Sequence, residues 1–132
     1  MIDSNTLDLI NSFLDVRYEL YNSNMEITRT NEMQKLIASS ILNNMILSTK
    51  IFKRNYMIGR FLEQYFSIKL SKYILASRTS ISGKVTRYIH SIDSEEELIN
   101  VLNTIYNILF KIKENRDIFQ ADIYEVIMGI KL

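Results

Sequence analysis

Apolar residues recur along most of this chain at intervals of three and four, and no segment alternates with period two between turn signals, so the pattern predicts helices rather than strands. Behind Ser4 and Asn5, the series Leu7, Ile10, Phe13/Leu14, Tyr18 and Tyr21 reads as a first helix that stops at Asn22-Ser23-Asn24. A second begins at about Asn31, behind Thr28 or Thr30, with Met33, Leu36/Ile37, Ile41, Asn44 and Leu47 on one stripe. A third runs from Arg54 through Ile58, Phe61/Leu62 and Tyr65/Phe66 to Ile74 or Leu75. Thr79, Ser80, Ser82 and Gly83 form the strongest interior turn signal, and a short helix carrying Val85, Tyr88/Ile89 and Ile92 follows or spans it.

Ser94-Glu95-Glu96-Glu97 is the sharpest local signature. A serine followed three residues later by glutamate can satisfy two orphan amides reciprocally, and the carboxylates suit the positive end of a helix dipole. The helix it opens carries Leu98/Ile99, Leu102, Ile105/Tyr106 and Leu109/Phe110, and Lys111 and Lys113 stand near its end. Glu114 to Asp117 makes the next connection, and Ile118 to Ile130 forms the last helix. Proline is absent and glycine occurs only at 59, 83 and 129, so little interrupts a helix and little supplies the tight turns of a β-rich fold. The expected fold is all-α: one domain over residues 1–132, a single compact bundle of about five to six helices.

Composition narrows the chemistry. With 132 residues and 47 % apolar content the chain can bury a substantial core. The absence of cysteine removes disulfides, thiolate metal sites and cysteine nucleophiles. No stretch approaches a membrane span and the N-terminus does not read as a signal peptide, so the expectation is a soluble, cytoplasmic protein with no membrane association. His90 is the only histidine, and no phosphate loop or paired-glycine dinucleotide turn occurs. Glu95, Glu96 and Glu97 point in different directions on a helix and are accounted for by capping. The chain is therefore read as a non-enzyme with no cofactor and no metal.

Charge changes the picture most. The net charge of +1 conceals a segregation: residues 1–34 carry six acids and two bases, residues 35–90 ten bases and one acid, and residues 91–132 eight acids and four bases. Within the basic centre, Lys50, Lys53 and Arg54, then Lys69 and Lys72, then Lys84 and Arg87 are spaced to project from one side of a helix, and Arg60 and Arg78 extend the series. Tyr56, Tyr65, Tyr73 and Tyr88 lie between these cations, where a ring can stack on an unpaired base. These nine basic residues are the candidate nucleic-acid-binding set, suited to a sequence-tolerant binder because phosphate contacts need positive charge along a track and little else. The competing reading pairs the basic helices with the acidic terminal ones inside the fold.

Ile58-Gly59-Arg60 running into Phe61-Leu62-Glu63-Gln64-Tyr65, followed by the capped Asp93-Ser94-Glu95-Glu96-Glu97-Leu98 start in a short helical chain with a basic centre, resembles the small subunit of type I CRISPR Cascade complexes over residues 55–130. That resemblance, which does not extend to the first 50 residues, implies a non-catalytic helical protein present in several copies. It would hold displaced single-stranded DNA or the guide–target duplex without reading sequence, through the basic middle from Lys50 to Arg87, beside other complex subunits and copies of itself. The size, the Ile/Asn/Tyr bias and Ser82-Gly83-Lys84-Val85 are similar to compact helical host-modulating proteins of large DNA viruses, including the poxviral Bcl-like fold. That alternative implies an apolar groove or helix face that captures a host protein helix.

Overall fold

A computed structural model of the chain describes residues 31–114 and 123–129, together with Asp8 and Asn11. Among the described residues it is 81 % helical with six helices and no strand, an all-α bundle. The helices are α1 (Asn31–Leu47), α2 (Asn55–Phe66), α3 (Lys72–Leu75), α4 (Arg78–His90), α5 (Glu95–Glu114) and α6 (Ile123–Gly129). The helix expected before residue 22 lies outside the described residues except for Asp8 and Asn11, which are helical. The connection read at 114–117 lies outside them beyond Glu114, and the helix expected over 118–130 is described only as α6.

Helix α1 packs against α4 and α5, α3 against α4 and α2, and α6 against α5 and α2. The buried apolar side chains form one cluster, led by Leu42, Met45 and Ile46 of α1, Ile58, Phe61 and Leu62 of α2, Ile81, Val85 and Ile89 of α4, and Ile105, Ile108 and Ile112 of α5. Phe52, in the link between α1 and α2, is fully buried, with its ring centroid 5.1 Å from Phe61 and 6.0 Å from Tyr124. Tilted and edge-on rings at these separations gain from their quadrupoles as well as from burial.

Two sequence expectations are corrected. The single helix read from Arg54 to Leu75 breaks after Phe66, because Ser67 adopts the left-handed conformation at φ 56° and turns the chain so that its own N–H reaches Glu63 O and the Ile68 N–H reaches Leu62 O. Residues 67–71 then run without helix until Ser71 opens α3 by accepting from the Ile74 amide at 3.3 Å. The turn read at Thr79, Ser80, Ser82 and Gly83 is instead the first half of α4. Ser77 caps that helix, its Oγ accepting from the Ser80 amide at 3.3 Å, and burial of Ile81, Val85 and Ile89 outweighs the weak helix propensity of the hydroxyl residues. Of the reciprocal cap read at Ser94, the structure has the serine half: its Oγ accepts from the Glu97 amide at 3.2 Å. The Glu97 carboxylate accepts instead from Tyr88 OH at 3.4 Å and so links α4 to α5. Burial, and then the neighbouring Glu97 charge and hydrogen bond, hold the Tyr88 phenol above its usual pKa.

The C-terminal ends of four helices are closed by side chains from elsewhere in the fold. Arg78 donates to Ile46 O at 2.8 Å, more weakly to Ser48 O at 3.5 Å, and to Phe52 O, closing α1 and fastening the following link. Asn55 Nδ2 donates to Leu75 O at 2.7 Å at the end of α3, and Lys35 Nζ to His90 O at 3.1 Å at the end of α4. Gln64 Nε2 donates to Met128 O at 3.0 Å and Tyr65 OH to Ile127 O, closing α6. Orphan carbonyls at a helix end need donors, and the usual left-handed glycine is used at none of these ends, since no described glycine has positive φ.

Two expectations follow for stability, both measured by urea denaturation with matched m-values. Arg78→Met should cost about 2 kcal/mol, because a charged donor is lost and part-buried carbonyls are left unpaired, and Tyr65→Phe about 1 kcal/mol for its single neutral bond. Backbone exchanges should split in sign. Ser67→Gly should gain about 1 kcal/mol by relieving the left-handed residue. Gly83→Ala should gain about 0.5–1 kcal/mol in helix propensity, its Cβ falling 3.4 Å from the movable Arg87 Nη1. Gly59→Ala should gain nothing, since its Cβ would stand 3.0 Å from Leu75 Cδ2 at the α2–α3 contact.

Candidate nucleic-acid interface

The nine basic residues singled out in the sequence are distributed unequally by the fold. Lys50, Lys53 and Arg54 are exposed but lie in the irregular link between α1 and α2, so they do not form the helical stripe that their spacing suggested. Arg54 is the residue before α2 and makes no side-chain cap there. Lys69 and Lys72 are likewise not a helical pair, because Lys69 stands in the irregular stretch and Lys72 at the first position of α3. Arg78, read as part of the phosphate track, is a correction: its guanidinium is committed to the carbonyls of Ile46, Ser48 and Phe52. Only Lys84 and Arg87 keep the helical i, i+3 relation, on α4.

What the chain's own spacing did not show is that Lys69 joins this pair. Lys69, Lys84 and Arg87 line one open depression of about 430 Å³, together with Ser67, Ile68, Tyr88 and Ser91. One wall is the turn after α2 and the other is the last two turns of α4. Each cation is placed by a local cause. The left-handed Ser67 sends Ile68 into the core and leaves Lys69 exposed. Burial of Ile81, Val85 and Ile89 turns Arg87 to the opposite, exposed side of α4 and leaves Lys84 half-buried on its flank. Gly83, lacking a side chain, leaves room for the Arg87 guanidinium, whose Nη1 lies 3.4 Å from where a Cβ would stand.

Among the described residues no carboxylate lines this depression, and the nearest one the hydrogen bonds show is that of Glu97, 3.4 Å from the hydroxyl of the lining residue Tyr88. Among the described residues no acid lies within ion-pair distance of Lys69, Lys84 or Arg87, whereas Lys111 does pair with Glu114, at 3.3 Å. The proposed pairing of basic centre against acidic ends is therefore not what these three side chains do among the described residues. The hydroxyl residues Ser67, Ser91 and Tyr88 stand beside them in the lining, with Ser91 Oγ donating to Tyr88 O at 2.7 Å and Tyr88 OH to the Glu97 carboxylate at 3.4 Å. Three convergent cations with hydroxyls between them form a site for an anion with several acceptor oxygens, in which arginine supplies a planar fork and lysines supply point charges.

A second depression, of about 340 Å³, is lined by Tyr56, Gly59, Arg60, Glu63, Leu70 and Leu75. Its chemistry differs: it is aromatic and aliphatic, with one cation and one carboxylate. The Arg60 guanidinium carbon stands 5.2 Å from the Tyr56 ring centroid, a cation–π contact, and Tyr56 is 52 % exposed. Tyr73, on α3, is 86 % exposed, whereas Tyr65 is half-buried and bonded to Ile127 O, so it belongs to the packing. His90 is exposed at the end of α4. Sequence reasoning missed Ser67, Ser91 and Glu63 as lining residues, and of these only the acid stood out, as the single carboxylate in the basic centre. Among the described residues no helix is long and apolar enough to cross a membrane. No protein-family model, no curated protein and no solved structure matches this chain.

Proposed function

We propose that this protein is a non-catalytic, sequence-tolerant nucleic-acid-binding module that grips the phosphate backbone at the Lys69–Lys84–Arg87 depression. The observation that carries this reading is the convergence of three cations from two separate parts of the chain on one concavity that no carboxylate lines among the described residues. Phosphate is the anion that fits, because such a site offers charge and forked donors to an oxygen-rich group, and nothing in it presents the paired donors and acceptors that read a base edge in a groove. The exposed Lys50, Lys53, Arg54 and Lys72 add to the general positive field that steers a polyanion toward the surface. In this reading the chain works in the cytoplasm as a helical subunit of a larger nucleoprotein assembly, the setting implied by its resemblance to Cascade small subunits.

Salt dependence tests the reading. A labelled single strand titrated with the protein should show a log–log salt slope of about −2, from roughly 0.7 counterions released at each of three contacts. The combined change Lys69→Ala, Lys84→Ala and Arg87→Ala should abolish measurable binding at moderate salt with the circular dichroism spectrum intact. Lys111→Ala with Lys113→Ala should leave affinity within about twofold, since those cations lie outside the depression. Absence of binding at about 50 mM salt, or equal loss from both sets, would overturn the proposal and favour the host-helix alternative.

A further inference from the structure

We infer that the second depression, at Tyr56 and Arg60, is a nucleobase-stacking site, so that the ligand is specifically single-stranded nucleic acid with unpaired bases. This rests on the phosphate reading above and deepens it.

The two concavities differ in charge. One holds three cations and no acid, and the other holds one cation beside Glu63. A carboxylate repels a phosphate but accepts well from the ring and exocyclic N–H groups of a base, so Glu63 makes the second site a poor phosphate cradle and a good neighbour for a base edge. Tyr56 and Arg60 add a stack: the guanidinium lies over the ring at 5.2 Å, an arrangement that continues naturally into a third plane. Leu70 and Leu75 give the apolar wall that a base face prefers to water, with the Leu75 side chain lying close over the bare Gly59 backbone.

Position supports the same assignment. Adjacent residues of the irregular segment after α2 border the two depressions: residues 67–69 line the first and Leu70 the second. The adjacency of Lys69 and Leu70 suits a strand whose phosphate lies on Lys69 and whose next unstacked base lies on Tyr56 or Arg60. A duplex keeps its bases paired and stacked inside, offers only phosphates to this surface, and leaves the aromatic site empty.

Three probes of about ten nucleotides separate these possibilities, all used with the full chain: a thymidine strand, an abasic strand of equal charge, and a duplex. The base-bearing strand should bind at least about fivefold more tightly than the abasic strand, the lower end of what stacking one base contributes. Tyr56→Leu should remove that preference while leaving the salt slope unchanged. Because the chain has no tryptophan, Tyr56→Trp supplies a unique fluorophore, and it should be quenched by the thymidine strand and not by the abasic one. Tyr56 is exposed, so neither variant should alter the melting curve. Equal affinity for the base-bearing and abasic strands, or stronger binding of the duplex than of the single strand, overturns the stacking site and leaves the phosphate site standing. Failure of all three probes to bind overturns both.

Discussion

The closure of helix C-termini by side chains from distant elements is the interaction on which this fold depends. Each α-helix ends with up to four carbonyls that lack an intrahelical partner, and leaving one buried without a donor costs as much as losing a hydrogen bond outright. A chain with three glycines and no proline has few local means of ending a helix, and none of the described glycines takes the left-handed conformation. Arg78, Asn55, Lys35, Gln64 and Tyr65 supply the donors instead. Each of these bonds joins residues at least 20 positions apart, so ending a helix and fixing its neighbour become one event. Cations suit this work twice over at α1 and α4, since a positive group also meets the negative end of the helix dipole.

That constraint also builds the basic depression. Arg78 anchors the first residue of α4 to the end of α1, which sets where the later turns of α4 fall, and Lys35 holds the far end of the same helix. Asn43 Nδ2 donates to Thr86 Oγ1 at 2.9 Å midway between them, so α4 is fixed along its length against α1. The Tyr88–Glu97 contact ties it to α5 on the side of the depression. On this fixed helix Lys84 and Arg87 meet Lys69, whose position follows from the left-handed Ser67. One arginine of the basic centre is thus spent on architecture in order that others stand exposed at defined places.

The distribution of acids assigns chemistry to the surface. Three like charges brought together without a carboxylate repel one another, modestly so in water and more so where the surface is concave, and an arriving anion relieves that repulsion. The sole acid of residues 35–90, Glu63, stands in the other depression, beside the arginine that lies over an aromatic ring. On the proposed reading, that separation keeps the phosphate contact and the base contact at different places.

The sequence by itself determined what depends on nearest neighbours along the chain: that the elements are helices, that Ser94 caps α5, and that Lys84 and Arg87 share a face. Those are consequences of the 3.6-residue period and of serine oxygens reaching amides three residues on. Even there, Ser71 and Ser77 escaped notice as caps because the hydroxyl-rich stretch around them resembles a turn as much as a helix start. Tertiary structure alone decided the break after Phe66, since serine carries no strong signal for a left-handed backbone and only packing of Ile68 and Leu70 selects it. It decided too that Arg78 is a capping residue and that Lys69 faces Lys84 and Arg87. N-terminal caps are local and can be read from spacing; C-terminal closure and charge convergence here run between residues far apart in the chain, and spacing holds no record of which distant helix arrives to meet them.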